Sequence, residues 1–129
     1  MPLVRIDHAA GKPAAYREAI SRGVYDALRG AFAIPPDDKF QVFGTHEAGA
    51  GIVHPESYLG IHYSAELTFI QITCNEGRTL DQKKALYAAI ADHLAADPGL
   101  RREDVFVNLV EVKPENWSFG NGIAQYAPK

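Results

Sequence analysis

The sequence predicts an α/β (α+β) fold in which two tandem strand–helix–strand units form one four-stranded sheet with both helices on one face. Three observations predict it. The 129 residues are 47 % hydrophobic and 22 % charged, as in a globular domain with a substantial core. Strand-like and helix-like segments alternate along the chain. The order of these segments then occurs a second time, so we expect a single domain that spans residues 1–129.

An internal repeat is the strongest of these observations, because the chain aligns with itself without a gap when it is shifted by 66 positions. In this register Gly11 matches Gly77, and Asp38 matches Asp104. Other matches are Leu3 with Phe69, Ile6 with Ile72, Lys12 with Arg78, Ala19 with Ala85, Leu28 with Leu94 and Phe40 with Phe106. The two copies cover roughly residues 2–48 and 66–113, and residues 114–129 form a tail.

The first unit begins with a short strand, LVRID, directly after Pro2. The segment AAYREAISRGVYDALRGAF predicts a helix because apolar residues recur along it at four-residue spacing. These residues are Tyr16, Ile20, Val24, Leu28 and Phe32, and Ala27 and Ala31 widen the stripe. Pro35–Pro36 stops the helix, and KFQVFG supplies the second strand of the unit.

The second unit repeats this order, and its first strand, ELTFIQITC, is apolar enough to be buried. Thr79 is the predicted N-cap of the helix LDQKKALYAAIADHLAA, in which Leu86, Ile90 and Leu94 repeat the apolar stripe. Pro98–Gly99 stops this helix, and DVFVNLVEV is the last strand.

The arrangement of the units follows from their connections. A strand–helix–strand crossover places its two strands parallel and is right-handed. The segment from about Thr45 to Ala65 joins the copies and is rich in Gly and His. In the tail WSFGNGIAQYA, a Gly-Asn-Gly turn between aromatic and apolar residues predicts a short C-terminal hairpin. Because helices cover only one face, strands as apolar as FIQI and VFVNLV predict oligomerisation through the other face.

Composition excludes several classes of function. The net charge is −3 and no basic block is present, so nothing predicts nucleic-acid binding. No apolar stretch approaches the ~20 residues of a membrane span, and no signal peptide is visible. Cys74 is the single cysteine, which excludes an internal disulfide, and its position in a strand predicts a core residue. A reducing, cytoplasmic location is therefore expected.

Pro2 is the first candidate functional residue. If Met1 is removed, Pro2 becomes a secondary amine at the chain terminus. A terminal α-amino group titrates near ~7.7–8 before perturbation, so it can act as acid, base or nucleophile at neutral pH. Pro2 aligns with Thr68 in the repeat, which is internal, so only the first copy can supply such an amine.

Four motifs, together spanning Pro2 to Tyr126, carry a family resemblance. They are PLVRID after the initiator methionine, AIPPDDKFQ after the first helix, GRT before the second helix, and WSFG followed by AQY. With two tandem strand–helix–strand units, the sequence resembles the tautomerase superfamily and, within it, the malonate semialdehyde decarboxylase group. The resemblance implies a homotrimer with one active site per chain and a catalytic amino-terminal proline that works without a cofactor.

The resemblance also implies roles for residues beyond Pro2. Asp38 matches the acidic partner of the proline, and it could hold Pro2 cationic or orient a water. Arg78 matches the arginine that binds the substrate carboxylate, a task that suits the forked guanidinium. Trp117 and Phe119 match an apolar wall. One branch of the family has a second arginine two residues before the first, where this chain has Glu76.

Each of these residues also has an ordinary structural interpretation. Asp37, beside Asp38, has the position of an exposed acid after a Pro-Pro turn, and Asp104 shows that an acid at the Asp38 position can serve a turn. Arg78 could be a solvated residue before a helix, and the tail aromatics could simply pack. His46, His54 and His62 lie eight residues apart, which fits no metal-ligand motif, so surface or interface histidines are expected.

The leading hypothesis is a lyase that decarboxylates a small 3-oxo acid such as malonate semialdehyde, with side activities as a tautomerase or hydratase. Its substrate would be a small carbonyl compound bearing a carboxylate. The first alternative is a tautomerase with Pro2 as general base. The second is a catalytically inactive trimeric binding protein, which would follow if Met1 stayed attached, because Pro2 would then be an amide nitrogen.

Overall fold

A computed structural model describes residues 1–129. Six strands and two α-helices follow one another in this order: β1 Pro2–Ala9, α1 Ala14–Phe32, β2 Phe40–His46, β3 Ser57–Tyr58, β4 Ile61–His62, β5 Thr68–Asn75, α2 Leu80–Ala96 and β6 Val105–Val112. Two short 3₁₀ turns, Arg102–Asp104 and Pro114–Asn116, flank β6. Both helices have the bounds that the apolar periodicity predicts.

The four long strands form one sheet in the order β2-β1-β5-β6. Within each unit the two strands are parallel, and the central strands β1 and β5 pair antiparallel. β1 and α1 begin 66 residues before β5 and α2, the offset found in the sequence. This mixed sheet with two helices confirms the predicted fold class.

The core lies between the sheet and the two helices. Alternate residues of β1 and β5 are buried, including Val4 and Ile6 on one strand and Ile70 and Ile72 on the other. The helical stripes meet them, and each fully buried aliphatic side chain contributes about 1.5–3 kcal/mol. The helix residues of this core cluster are Ile20, Val24, Ala27, Leu28, Phe32, Leu86, Ile90 and Leu94.

The start of α2 is the best-defined helix end. The Thr79 side chain accepts a hydrogen bond from the Gln82 backbone N–H at 3.2 Å, and the Gln82 side chain accepts one from the Thr79 N–H at 2.8 Å. This reciprocal capping box satisfies two N–H groups that a helix start otherwise leaves free, so the predicted N-cap is confirmed.

The predicted C-terminal hairpin is not formed, because no strand follows β6. The Gly-Asn-Gly turn is present, with Asn121 and Gly122 both at positive φ. The residues on either side of the turn do not pair as strands, because the Gln125 side chain occupies their hydrogen-bonding groups. It accepts a hydrogen bond from the Phe119 N–H and donates one to the Gly120 carbonyl. The small hairpin of this chain is instead β3–β4 in the connecting segment, which carries no comparable turn signal.

The sheet face away from the helices exposes a row of large apolar side chains. These side chains are 38–51 % exposed and comprise Leu3, Phe40, Val42, Phe106 and Val110. This is the uncovered apolar face that the strand composition predicts. Among the helices, none is long and apolar enough to cross a membrane.

Candidate active site

Pro2 lies at one end of the sheet, in a row of residues that crosses three strands. It is buried at the start of β1 and pairs with Cys74 on β5, which in turn pairs with Glu111 on β6. Neighbouring strands are about 4.7–4.9 Å apart, so the three residues lie within ~10 Å. Pro2 lies two residues from the core residue Val4, and Cys74 lies two residues from Ile72, so the row faces the layer that holds the helices.

The chain terminus is next to the predicted acidic partner. The Met1 amino nitrogen lies 3.6 Å from Asp38 Oδ2, and the two side chains are only 10 % and 12 % exposed. Asp38 Oδ1 is buried without a hydrogen-bond partner, so this carboxylate retains an acceptor for a further donor. Asp37 is exposed at φ 69° and donates its N–H to the Tyr25 hydroxyl. Of the two adjacent acids, it is Asp38 that faces the terminus.

Arg78 approaches the same end of the sheet from the turn between β5 and α2. Its Nη1 donates to the Asn75 carbonyl at 3.1 Å, and its guanidinium carbon lies 4.9 Å from the centre of the Phe32 ring. These contacts hold the side chain in a half-buried position with several donors still free. Burial raises the pKa of the Cys74 thiol from its ordinary value of 9.0, with Arg78 acting in the opposite direction, so the thiol is neutral at pH 7.

The tail brings its aromatic residues to the end of β5. Trp117 Nε1 donates to Asn75 Oδ1 at 2.7 Å. The Trp117 and Phe119 rings stack at 5.5 Å with an interplanar angle of 20°, and Tyr126 packs edge-on against Phe119 at 4.7 Å. Trp117 is half-buried and Phe119 is 38 % exposed, so the aromatic pair forms a wall that is open on one side.

Asn75, Glu111 and Lys83 are the residues of this region that sequence reasoning missed. Asn75 bonds to both Arg78 and Trp117, and Lys83 Nζ lies 2.7 Å from Glu111 Oε1. The hydrogen bond from Lys83 lowers the pKa of Glu111 below its ordinary value of 4.5, and the Gly77 N–H acts in the same direction. The strand register could have identified Glu111, because Glu111 pairs with Cys74, which pairs with Pro2. Asn75 follows Cys74 along β5 and pairs with Val112, so the register gives no such indication for it.

The histidines lie elsewhere. His46 Nε2 is 2.7 Å from Asp7 Oδ1 on the exposed sheet face, while His54 and His62 belong to the connecting segment. No group of three or more His, Cys, Asp or Glu side chains is arranged to hold a metal ion. Two cavities of about 520 Å³ each are lined in part by Tyr63 and also lie away from Pro2.

The structure therefore brings Pro2, Asp38, Arg78 and Trp117 to one end of the sheet, with Phe119 on the outer side of Trp117. Chemically, the arrangement offers a chain-terminal amine, a carboxylate beside it, a guanidinium and an aromatic wall. A guanidinium binds a carboxylate through paired hydrogen bonds. A carboxylate beside an amine raises the pKa of that amine.

Comparison with known proteins supplies the family. Residues 38–120 match the family described as "Tautomerase enzyme". The chain is 38 % identical, over 97 % of its length and 98 % of the relative's, to the probable tautomerase YusQ of Bacillus subtilis (strain 168).

Two solved structures are similar over the whole fold. One is FG41 malonate semialdehyde decarboxylase inhibited by 3-bromopropiolate, with 37 % identity, a TM-score of 0.89 and coverage of 96 % of this chain and 93 % of that one. The other is a malonate semialdehyde decarboxylase described with decarboxylase and hydratase activities, with 28 % identity, a TM-score of 0.88 and coverage of 96 % and 95 %.

Proposed function

The chain belongs to the tautomerase family, and from this premise we propose that it decarboxylates a small 3-oxo acid such as malonate semialdehyde. The single observation that carries the proposal is the convergence of the chain terminus, Asp38 and Arg78 at one end of the sheet. The similarity to two malonate semialdehyde decarboxylases supports the choice of substrate class.

Removal of Met1 is the first step of this proposal, and it has two effects. It converts Pro2 from an amide into a free secondary amine. It also empties the space beside Pro2, because the Met1 side chain is 90 % buried there. The amine that results starts close to the Asp38 carboxylate, which favours its protonated form.

Arg78 binds the substrate carboxylate and thereby places the carbonyl group at the other end of the molecule near Pro2. Glu76 is exposed and Lys83 is paired with Glu111, so Arg78 is the cation that this end of β5 offers to a substrate. Trp117 and Phe119 shield the carboxylate from water, which favours loss of CO₂ because the charge becomes less localised as the bond breaks.

Two routes use the same residues. In the first, the neutral Pro2 nitrogen attacks the aldehyde carbon and water leaves, giving an iminium ion. The bond to the carboxylate carbon then breaks, CO₂ departs, and the electron pair forms an enamine that is protonated on carbon. Water hydrolyses the resulting iminium ion to acetaldehyde and free Pro2.

In the second route, cationic Pro2 donates a hydrogen bond to the carbonyl oxygen and stabilises the enolate that decarboxylation leaves.

We expect the active assembly to be a homotrimer. The resemblance of the sequence to its family supports this assembly. So does the exposed apolar sheet face, which a monomer would leave in water.

Tautomerisation is the second candidate function, and the name of the 38 % identical relative favours it. Here Pro2 acts as a base that moves a proton next to a carbonyl, as with phenylpyruvate. This use requires neutral Pro2 at working pH, whereas the hydrogen-bonding route of decarboxylation requires the cation.

The test combines intact mass with two assays on protein purified without an N-terminal tag. We expect the mass to lack Met1 and the protein to release CO₂ and acetaldehyde from malonate semialdehyde. Arg78→Ala should lower kcat/KM about 10- to 150-fold, since hydrogen bonds to charged groups contribute about 1.5–3 kcal/mol. Arg22→Ala is the matched control, because Arg22 is 58 % exposed and pairs with Asp97.

Other outcomes of these assays would support the alternative functions. Turnover of phenylpyruvate without CO₂ release would identify a tautomerase. Retention of Met1 in the native host, with neither activity, would leave an inactive binding protein. Reduction with borohydride during turnover separates the two decarboxylation routes, because only an iminium ion yields a stable mass increase on Pro2.

A further inference from the structure

The two units are related by an approximate two-fold axis through the centre of the sheet. Arg5 on β1 pairs with Gln71 on β5, and these two residues are equivalent in the 66-residue repeat. The end of the sheet that holds Pro2 therefore has an equivalent at the opposite end. There Thr68 begins β5 as Pro2 begins β1.

The opposite end retains a cation and a buried carboxylate at positions equivalent to those of the candidate active site. Lys12 is equivalent to Arg78, and Asp104 is equivalent to Asp38. Asp104 is fully buried. One part is missing, since Thr68 is internal and has no free amine. This end therefore cannot perform the chemistry proposed for Pro2.

Lys12 and Asp104 both have partners from the same chain. Lys12 Nζ lies 2.8 Å from Glu66 Oε2, and this contact raises the pKa of Lys12. Asp104 accepts hydrogen bonds from the Ser64 N–H at 2.9 Å and the Ser64 hydroxyl at 2.5 Å. Asp104 also pairs with Arg101 at 3.3 Å. Ser64 and Glu66 belong to one short segment just before β5.

Three buried polar atoms at this end have no hydrogen-bond partner. They are His8 Nε2, on a residue that is 2 % exposed, the Tyr16 hydroxyl, and Glu66 Oε2, which has only the ion pair with Lys12. The His8 and Tyr16 rings lie 5.3 Å apart, and Lys12 Nζ lies 5.3 Å from the centre of the Tyr16 ring. Buried polar groups are seldom left unpaired, so this unused hydrogen-bonding capacity beside Lys12 is consistent with a ligand site at this end.

We propose that this end of the sheet is a second carboxylate-binding site, which the chain occupies with its own Glu66. Glu66 binds Lys12 in the way that the substrate carboxylate is proposed to bind Arg78. This comparison rests on the proposed function. A carboxylate tethered two residues before β5 has an effective concentration of about millimolar or higher, so it excludes free carboxylates at lower concentration. In this proposal the second end of the sheet lacks the catalytic amine and is also closed to free carboxylates.

We expect that the Lys12–Glu66 pair can be removed without loss of the fold. Its side chains are 28 % and 40 % exposed, and partly exposed ion pairs contribute little to stability. We therefore expect Glu66→Ala to fold and to open the site to small monocarboxylates.

The experiment titrates sodium propionate into ¹⁵N-labelled protein at constant ionic strength, with sodium chloride as the reference salt. Amide shifts are followed at Gly11, Lys12 and Thr68. Glu66→Ala should show saturable shifts there with a millimolar Kd, at least tenfold tighter than the unsubstituted chain. The double variant Glu66→Ala/Lys12→Met should lose them, and Glu66→Ala/Lys12→Arg should keep them.

Shifts of equal size in the unsubstituted chain, no saturation in Glu66→Ala, or shifts that survive Lys12→Met would each overturn the proposal. The dispersion of the amide resonances shows whether each variant is folded. The variant with Lys12→Arg keeps a positive charge at position 12, so it tests whether a cation there is sufficient for binding. The readout lies at the end of the sheet opposite Pro2. Failure here leaves the Pro2 activity untouched, and absence of that activity leaves these shifts interpretable.

Discussion

Asn75 connects two parts of the candidate site that are far apart in the sequence. Its carbonyl accepts from Arg78, and its side-chain oxygen accepts from Trp117, which is 42 residues further along the chain. The residue itself touches no group that we propose to react. We expect it to act as a positioning residue that holds the guanidinium and the aromatic wall next to each other.

We expect Asn75→Ala to lower kcat/KM for malonate semialdehyde by about 2- to 10-fold, because one hydrogen bond contributes about 0.5–1.5 kcal/mol. The loss should come with a changed Trp117 fluorescence spectrum, since its indole N–H is released. Asn108→Ala is the control, because the Asn108 side chain bonds to Gln71 on the far face of the sheet. An unchanged indole spectrum in Asn75→Ala would contradict the positioning role.

The start of α2 illustrates how a whole element positions a functional group. Arg78 directly precedes the Thr79 N-cap, so its backbone is held by the capping box between Thr79 and Gln82. The pair of Lys83 and Glu111 ties the first turn of the helix to the end of β6. The orientation of Arg78 thus depends on the helix end as well as on its own contacts.

Thr79→Ala should reduce the free energy of unfolding by about 1 kcal/mol, because the N-cap hydroxyl satisfies a helix N–H that alanine leaves free. Thr79→Ser retains the hydroxyl and should remain within about 0.5 kcal/mol of the unsubstituted chain. Urea unfolding followed by circular dichroism measures both. Equal stability of the two variants would show that the capping box contributes nothing.

The architecture of the molecule leaves one sheet face without cover. The helices bury the opposite face, while Leu3, Val42 and Phe106 on this one are each more than 40 % exposed. Burying apolar surface stabilises association by about 25 cal/mol per Å² of area. The exposed face is therefore the surface through which we expect three copies to assemble.

Val42→Glu should dissociate the trimer, since burying an unpaired carboxylate costs several kcal/mol. Sedimentation velocity should give about three times the chain mass of 14.1 kDa for the unsubstituted protein and a smaller species for the variant. Tyr87→Glu adds the same charge at an exposed position of α2 and should leave the mass unchanged. A trimer that survives Val42→Glu would place the interface elsewhere.

Most of the fold was predictable because its signals are local. The apolar spacing from Tyr16 to Phe32 defines α1, and Thr79 defines the start of α2. The tail is the exception, because a hairpin needs cross-strand partners as well as a turn, and Gln125 takes the hydrogen bonds that strands would have used.

The candidate site was predictable only in part. Pro2, Asp38, Arg78 and the tail aromatics follow from motifs, and their roles remain proposals. Asn75 and Glu111 carry no motif, since an asparagine or glutamate at a strand end is ordinary. The ion pair between Lys12 and Glu66 could not be predicted either, because the two residues are 54 positions apart and no local pattern connects them.

The amino-acid sequence alone determined that two copies of one strand–helix–strand unit share a sheet, and that only the first copy begins with a proline. Periodicity, capping and internal repeats are properties of neighbouring or equivalent residues, so they can be read along the chain. Only the tertiary structure decided that Asp38, rather than Asp37, faces the terminus, and that the opposite end is filled by Glu66. The contact of Asp38 depends on the parallel pairing of β1 with β2, and the contact of Glu66 depends on the antiparallel pairing of β1 with β5. Both pairings join residues that are distant in the sequence, so no local pattern specifies them.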